Sequence, residues 1–238
     1  MSDETIPAMP DVDTGLVGEH RRVRAAATDR LDGVDDGASA LFRFHGRRRL
    51  VESIANLFLD DRLMLLPPRR RHLHVSLERR VGGCAAAFRH IDGRLEMVRR
   101  GHLDRIVGLE TPFVLNAFAE SHDPNHQETN PGLVRLTTSG FDVTQSSFVP
   151  PDGERCAGLL EQCVNRANSS TAPTVVRAAW LCAALLAVHP FVDGNGRSAR
   201  LLFQLVASSD DQTRLDWGAL EMWAIDRGGY VEALKATQ

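Results

Sequence analysis

The chain has 238 residues, a net charge of −3, and 43% apolar against 25% charged residues. That length allows one large domain or a core with an extension, and the composition can bury a core without disulfides or a structural metal. The near-neutral balance gives no whole-chain field for nucleic acid or an anionic membrane, and the longest apolar run, Ala178 to Val188, is eleven residues, short of the roughly 20 of a membrane span.

The opening MSDETIPAMPDVD has neither the basic start nor the apolar stretch of a secretion signal, so the expected location is the cytoplasm, or another cell after delivery. Residues 1–40 read as a poorly ordered or helical lead-in, mixing acids, glycine and alanine with few large apolar groups. Residues 41–100 read as an arginine-rich helical extension. From Arg43 to Arg100 there are fourteen arginines against six acids, a local balance of +8. Leu50, Ile54, Leu57 and Phe58 have helical spacing, and Pro67-Pro68 ends that pattern. The run Arg69-Arg70-Arg71 lacks the interleaved aromatics that stack on bases, which points to a solvated face rather than nucleic acid. His72 and His74 would share a face, as metal ligands must, only on a strand.

Residues 101–238 read as the core. The stretch 103–120 predicts one helix, or two around Thr111-Pro112. Ser121 to Gly132 is loop by composition. Leu133 to Val149 is rich in β-branched and small polar residues, with a turn at Ser139-Gly140, and predicts a β-hairpin. From Glu154 an amphipathic helix carries Cys156, Leu159, Leu160 and Cys163 on one stripe. Thr171 to Phe191 is apolar nearly all round, as a helix at the centre of a bundle is. Arg197 to Ser208 resumes the helical period, and Trp217 to Ala236 predicts a last helix, whose Tyr230 could lie near a bound base. The pattern is a helical bundle with one small hairpin.

Cys84, Cys156, Cys163 and Cys182 are scattered in apolar surroundings, so they read as small hydrophobes. Lys235 is the only lysine, which excludes a phosphate loop of the glycine–lysine type.

The chemistry concentrates in His189 to Arg200, HPFVDGNGRSAR. His189 ends an apolar helix and precedes proline, which disfavours further helix. A neutral imidazole there can accept a proton near pH 7. Asp193 is placed for a metal or a hydrogen bond. Gly194-Asn195-Gly196 allows positive φ and leaves backbone N–H groups open to an anion. The turn opens onto a helix, whose N-terminus adds positive potential. Arg197 and Arg200 share a face of that helix, and arginine forks suit phosphate oxygens. Together these residues describe a phosphate-handling site.

The stretch resembles the signature of Fic proteins: histidine, any residue, phenylalanine, any residue, an acid, Gly-Asn-Gly-Arg, two residues and arginine. Every specified position is filled. The predicted hairpin resembles the family's flap, GLVRL at Gly132–Leu136 its approach to that flap, and DRGGYVEAL at Asp226–Leu234 its final core helix. The resemblance implies an all-α, Fic-type helical bundle with a small β-hairpin flap before the active-site motif. It implies a nucleotidyltransferase moving AMP from ATP to a target hydroxyl with pyrophosphate release. His189 would be the general base and Phe191 would pack inward to fix the loop. Asp193 would hold Mg²⁺, and Gly194, Asn195 and Gly196 would form the anion hole. Arg197 would contact the β- or γ-phosphate, and Arg200 would brace the loop or a phosphate. Flap residues Thr144, Gln145, Ser146, Ser147 and Phe148 would align the target. The acceptor would be a protein with an exposed Ser, Thr or Tyr hydroxyl, or a small molecule. Transfer of another phosphate-containing group, and a non-catalytic binding or toxin module, are the alternatives. Doc-type kinases carry lysine at the position of Gly196, so glycine favours nucleotidyl transfer.

One departure stands out. Many family members carry an inhibitory segment, Ser or Thr, three residues, Glu, then Gly or Asn, whose glutamate pairs with the motif's second arginine. No glutamate here is followed by Gly or Asn, and the nearest approach is TDRLDG at Thr28–Gly33. The resemblance therefore implies a constitutively active enzyme or one inhibited by a separate partner, and argues against AMP removal.

Overall fold

The computed structural model describes residues 6–9, 71–121, 130–136 and 149–209. The segments 10–70 and 210–238, which include the Leu50–Leu59 pattern, TDRLDG and the expected last helix with Tyr230, lie outside the described residues. So does 137–148, the body of the expected hairpin. Among the described residues there are five α-helices and no strand.

Helix α1 (Arg71–Arg99) buries Cys84, Ala87, Phe88, Ile91 and Leu95 at helical spacing. It closes on Gly101 at φ 72°, with the His102 N–H on the Met97 carbonyl and the Gly101 N–H on the Val98 carbonyl. That paired closure satisfies two carbonyls at the helix end, and positive φ suits glycine. His72 and His74 lie on this helix rather than on a strand.

Helix α2 (Thr111–Glu120) is single. Pro112 sits in its first turn, where a missing N–H costs nothing, and the residues before it form turns. Thr111 Oγ1 accepts the Gly108 N–H at 2.9 Å just ahead of the helix. Gly83 of α1 lies where any Cβ would meet the carbonyls of Phe118 and Ala119, so glycine sets the close crossing of α1 and α2. Helix α3 (Gly153–Ser169) buries the stripe Cys156, Leu159, Leu160, Cys163, Val164 and Ala167, as its sequence period predicts.

Helix α4 (Thr174–Val188) is the apolar helix expected at the centre, with Leu181, Leu185 and Val188 fully buried. Trp180 packs in the core, its indole N–H donating to the Pro7 carbonyl at 2.8 Å and its ring lying under the Arg166 guanidinium. Helix α5 (Asn195–Ala207) buries Leu201, Leu202, Leu205 and Val206. Helices α4 and α5 share the largest interface, α3 backs α4, and α2 packs on both α1 and α5. The core residues of α1 join those of the later helices in one cluster.

None of the four cysteines is in a disulfide, and all are buried. Burial pushes the thiols of Cys163 and Cys182 up to about 12, so neither supplies a thiolate near neutral pH.

The centre of α4 sets the stability of the bundle. Leu185→Ala leaves a cavity in a fully buried site and is expected to cost about 2–5 kcal/mol in urea unfolding. Exposed Met97→Ala should change the midpoint little.

Candidate functional site at the α4–α5 joint

The turn from His189 to Gly194 joins the two central helices. His189 caps α4 in the left-handed region at φ 46°, ψ 56°, its N–H bonded to the Leu185 carbonyl at 2.8 Å. A non-glycine residue held there costs roughly 1–2 kcal/mol and persists only where its surroundings fix it. The following Pro190 cannot continue the helix. The chain leaves α4 at His189 and presents a half-buried imidazole. A hydrogen bond to the Leu186 backbone holds that ring. With one ring N–H so engaged, the other nitrogen of the neutral ring is an acceptor. Burial, helped by the Arg135 guanidinium, lowers the imidazole pKa to about 4, although the Leu186 bond and Asp193 pull upward. The ring is therefore neutral at physiological pH.

Asn195 closes the turn on itself. Its Oδ1 accepts the Phe191 N–H at 3.0 Å and its Nδ2 donates to the Phe191 carbonyl at 2.8 Å. Phe191 is buried and meets Phe113 of α2 edge to face, with ring centroids 6.0 Å apart. The Asn195 side chain is thus spent inside the loop. What it leaves outward is backbone. The amides of Asn195, Gly196 and Arg197 open α5, where no intrahelical acceptor exists. The Ser198 N–H is the first to find one, on Gly194. This is the geometry of an anion site at a helix N-terminus.

Gly194 sits at φ 78°, and any Cβ there would strike the Glu120 carboxylate and crowd the Asn116 amide. Only glycine fits, for both conformation and space. Gly196 has more room, since a Cβ would meet the movable guanidinium end of Arg200. The carboxylate of Asp193 is half exposed. One oxygen accepts the Gly194 N–H at 2.6 Å and the other lies 3.5 Å from the Arg197 guanidinium.

Arg197, expected at a phosphate, is turned inward in this structure. Its side chain is 5% exposed, and its Nη2 lies 2.7 Å from Oε1 of the fully buried Glu120. Four residues earlier on α2, Asn116 donates to the Asp193 carbonyl at 3.0 Å and to Ser198 Oγ at 3.1 Å, and accepts the Gly132 N–H at 2.8 Å. Asn116 and Glu120 thus support the loop from beneath. Neither stood out in the sequence analysis, although two polar residues four apart in the apolar run TPFVLNAFAE were a usable signal. A third such residue is Arg135, which is buried and whose Nε donates to the His189 carbonyl at 2.7 Å. Thr144 to Phe148 lie outside the described residues. Among the described residues no cluster of three metal-ligating side chains occurs.

With this geometry in hand, the comparisons are specific. Residues 114–207 match the model of the Fic/DOC family. A 44-residue stretch is 48% identical to a Fido domain-containing protein from Dictyostelium discoideum, covering 18% of this chain and 30% of that protein. Among solved structures, the chain is similar to a Fic family protein from Desulfovibrio desulfuricans G20, with a TM-score of 0.61 and 15% identity over 96% of this chain and 68% of that one. It is also similar to a fragment of Fic-1 from C. elegans, with a TM-score of 0.59 and 20% identity over 93% and 67% of the two chains. At those identities the structural likeness is one of fold. Residues 114–207 thus match the Fic/DOC family, and the fold is the all-α fold of the Fic structural neighbours.

Removing the carboxylate beneath the loop tests its weight. Glu120→Ala leaves the buried Arg197 charge with only the half-exposed Asp193 carboxylate at 3.5 Å, and a loss of about 3 kcal/mol in urea unfolding is expected. The double change Glu120→Leu with Arg197→Met should recover most of it, because an apolar pair of similar volume can replace a buried ion pair.

Proposed function

We propose that this chain transfers AMP from ATP to a hydroxyl of a target protein and releases pyrophosphate. Fic family proteins are generally transferases of nucleotide-derived groups. One observation carries the proposal: a neutral, held imidazole and an open helix N-terminus stand at the two ends of one short, rigid loop.

In this reading His189 takes the proton of the acceptor hydroxyl on its unprotonated ring nitrogen. The hydroxyl oxygen attacks the α-phosphorus of ATP. The bond from that phosphorus to the bridging oxygen breaks, and pyrophosphate leaves with its electron pair. The amides of Asn195, Gly196 and Arg197 hold the phosphates in place as their charge develops. The Arg200 guanidinium, lying over Gly196, adds a cation beside them. Arg197 acts from below, since its pairing with Glu120 orients the first turn of α5. The half-exposed carboxylate of Asp193 beside these amides suits Mg²⁺, which is commonly held by one or two carboxylates together with substrate phosphates. When bound, the ion neutralises phosphate charge. Alignment of the acceptor is assigned to Thr144–Phe148. The acceptor is taken to be a Ser, Thr or Tyr side chain of a partner protein in the cytoplasm, and a separate inhibitory partner would suit a chain that lacks the inhibitory segment. Among the described residues no helix is long and apolar enough to cross a membrane.

Intact-mass spectrometry of the purified chain, incubated with Mg²⁺ and each nucleotide, tests the reading directly. An added AMP on wild type and none on His189→Ala is the expected result, with labelled lysate as the next substrate if the chain does not modify itself. A different adduct replaces the donor, and absence of nucleotide binding removes the enzymatic reading.

The pH profile is a second test. A base whose pKa is lowered to about 4 keeps its proton-accepting form at every pH above that value. Single-turnover transfer should therefore show no acid limb from His189 between pH 6 and 8. A limb centred near the ordinary histidine value of about 6.5 would show an exposed ring instead.

A further inference from the structure

The proposed base stands in a strained conformation, and what holds it there lies outside the signature. Arg135 belongs to the approach 130–136, just past its turn at 131–133, and is buried. Its Nε donates to the His189 carbonyl at 2.7 Å, its Nη2 donates to the Pro151 carbonyl, and its own N–H donates to the Pro190 carbonyl at 2.9 Å. Just beyond, a Cβ on Gly153 would collide with the Arg135 carbonyl, so the start of α3 closes over the same residue. One arginine therefore joins three chain segments, 130–136, 149–153 and the His189–Pro190 turn.

We propose that Arg135 is a positioning residue for the His189 imidazole, fixing the left-handed turn through the His189 carbonyl and locking it to the residues on either side of 137–148. The inference rests on the transferase reading for its effect on activity, though not for its effect on the ring. The peptide plane after His189 must stay rotated for φ 46°, ψ 56° to persist. A charge-assisted hydrogen bond to the carbonyl of that plane resists its return to a helical or extended conformation. The rotation of the same plane sets where the Cα–Cβ bond aims the ring. The guanidinium also opposes protonation of the imidazole from the 130–136 side. Asp193 favours protonation from the loop side, and the Leu186 backbone bond does so from α4. A merely structural arginine would influence the melting temperature alone. A positioning arginine influences the ring and the rate while nucleotide binding persists.

The test compares wild type, Arg135→Gln and Arg135→Lys, with three readouts. These are self-labelling or target-labelling rate, ATP affinity by calorimetry, and the ring resonances of His189 in histidine-selective NMR. The His189 signals are assigned by their loss in His189→Ala from among the nine histidines. For Arg135→Gln the transfer rate is expected to fall about tenfold or more, the effect of losing roughly 1.4 kcal/mol of transition-state alignment. ATP affinity should hold within about twofold, since the amides of α5 are untouched. The His189 signals should shift, and Arg135→Lys, keeping the charge without the fork, should lie between. Unchanged rate with unchanged His189 signals overturns the inference. An equal loss of ATP affinity, rate and melting temperature in both variants overturns it too, by showing a structural role. If wild type transfers no group to any acceptor, the transferase reading fails and the ring decides alone: shifted His189 signals in folded Arg135→Gln support positioning, and unshifted ones overturn it.

Discussion

A buried carboxylate facing a buried guanidinium, Glu120 against Arg197 at 2.7 Å, is the contact on which the rest of the site depends. Neither charge could stay inside the bundle alone. Together they fasten the first turn of α5 to the end of α2. Because Glu120 fills the space beside Gly194, the loop must carry glycine there in a left-handed conformation. That conformation turns the chain into α5 with its amides facing outward. Asn116, one helical turn earlier, completes the frame by holding the Asp193 carbonyl and Ser198. The apolar packing of α4 on α5 brings the helices together, but the polar contacts from α2 decide how the joint between them is shaped.

The electrostatics of the site follow from this division. The charge of Arg197 is largely cancelled inside the protein, so it adds little to the outward field. Under the proposed function the positive potential offered to an anion comes from the first amides of α5, with Arg200 beside Gly196. The imidazole at the other end of the loop adds no charge, because burial keeps it neutral. Under the proposed function this separation is useful. A protonated histidine would strengthen phosphate binding and lose the ability to accept a proton.

The sequence displayed the fold where periodicity is strong. The apolar run of α4, the stripe of α3 and the helix after Gly-Asn-Gly lie where their patterns put them. Pro112 left 103–120 ambiguous, because proline starts helices as well as ending them, and the structure begins α2 beside it. The structure brings His189, Phe191, Asp193 and the glycines together on one short loop, as their spacing implies, while their chemical roles belong to the proposed function. Arg197 was legible as a member of the set, but its direction was not. An arginine on a helix start faces outward or inward according to what lies beneath it, and Glu120 lies 77 positions earlier in the chain. Asn116, Glu120 and Arg135 share that reason. Each acts across a tertiary contact that no local period encodes.

In the resembling family an inhibitory glutamate meets the second arginine of the motif, whereas here a glutamate meets the first, from a helix of the core. Glu120 is fully buried, with Gly194 packed over it. A contact of that kind cannot be withdrawn without opening the bundle, so it does not behave as a removable plug. It is better understood as the support beneath the Gly194 turn. Any inhibitory carboxylate would have to approach from the outer face, toward Arg200 and the α5 amides, where a nucleotide's terminal phosphates would also lie under the proposed reading. Arg197 and Arg200 are three residues apart on one helix, yet the first pairs with Glu120 beneath the loop while the guanidinium of the second lies beside Gly196, where the proposed function puts the phosphates.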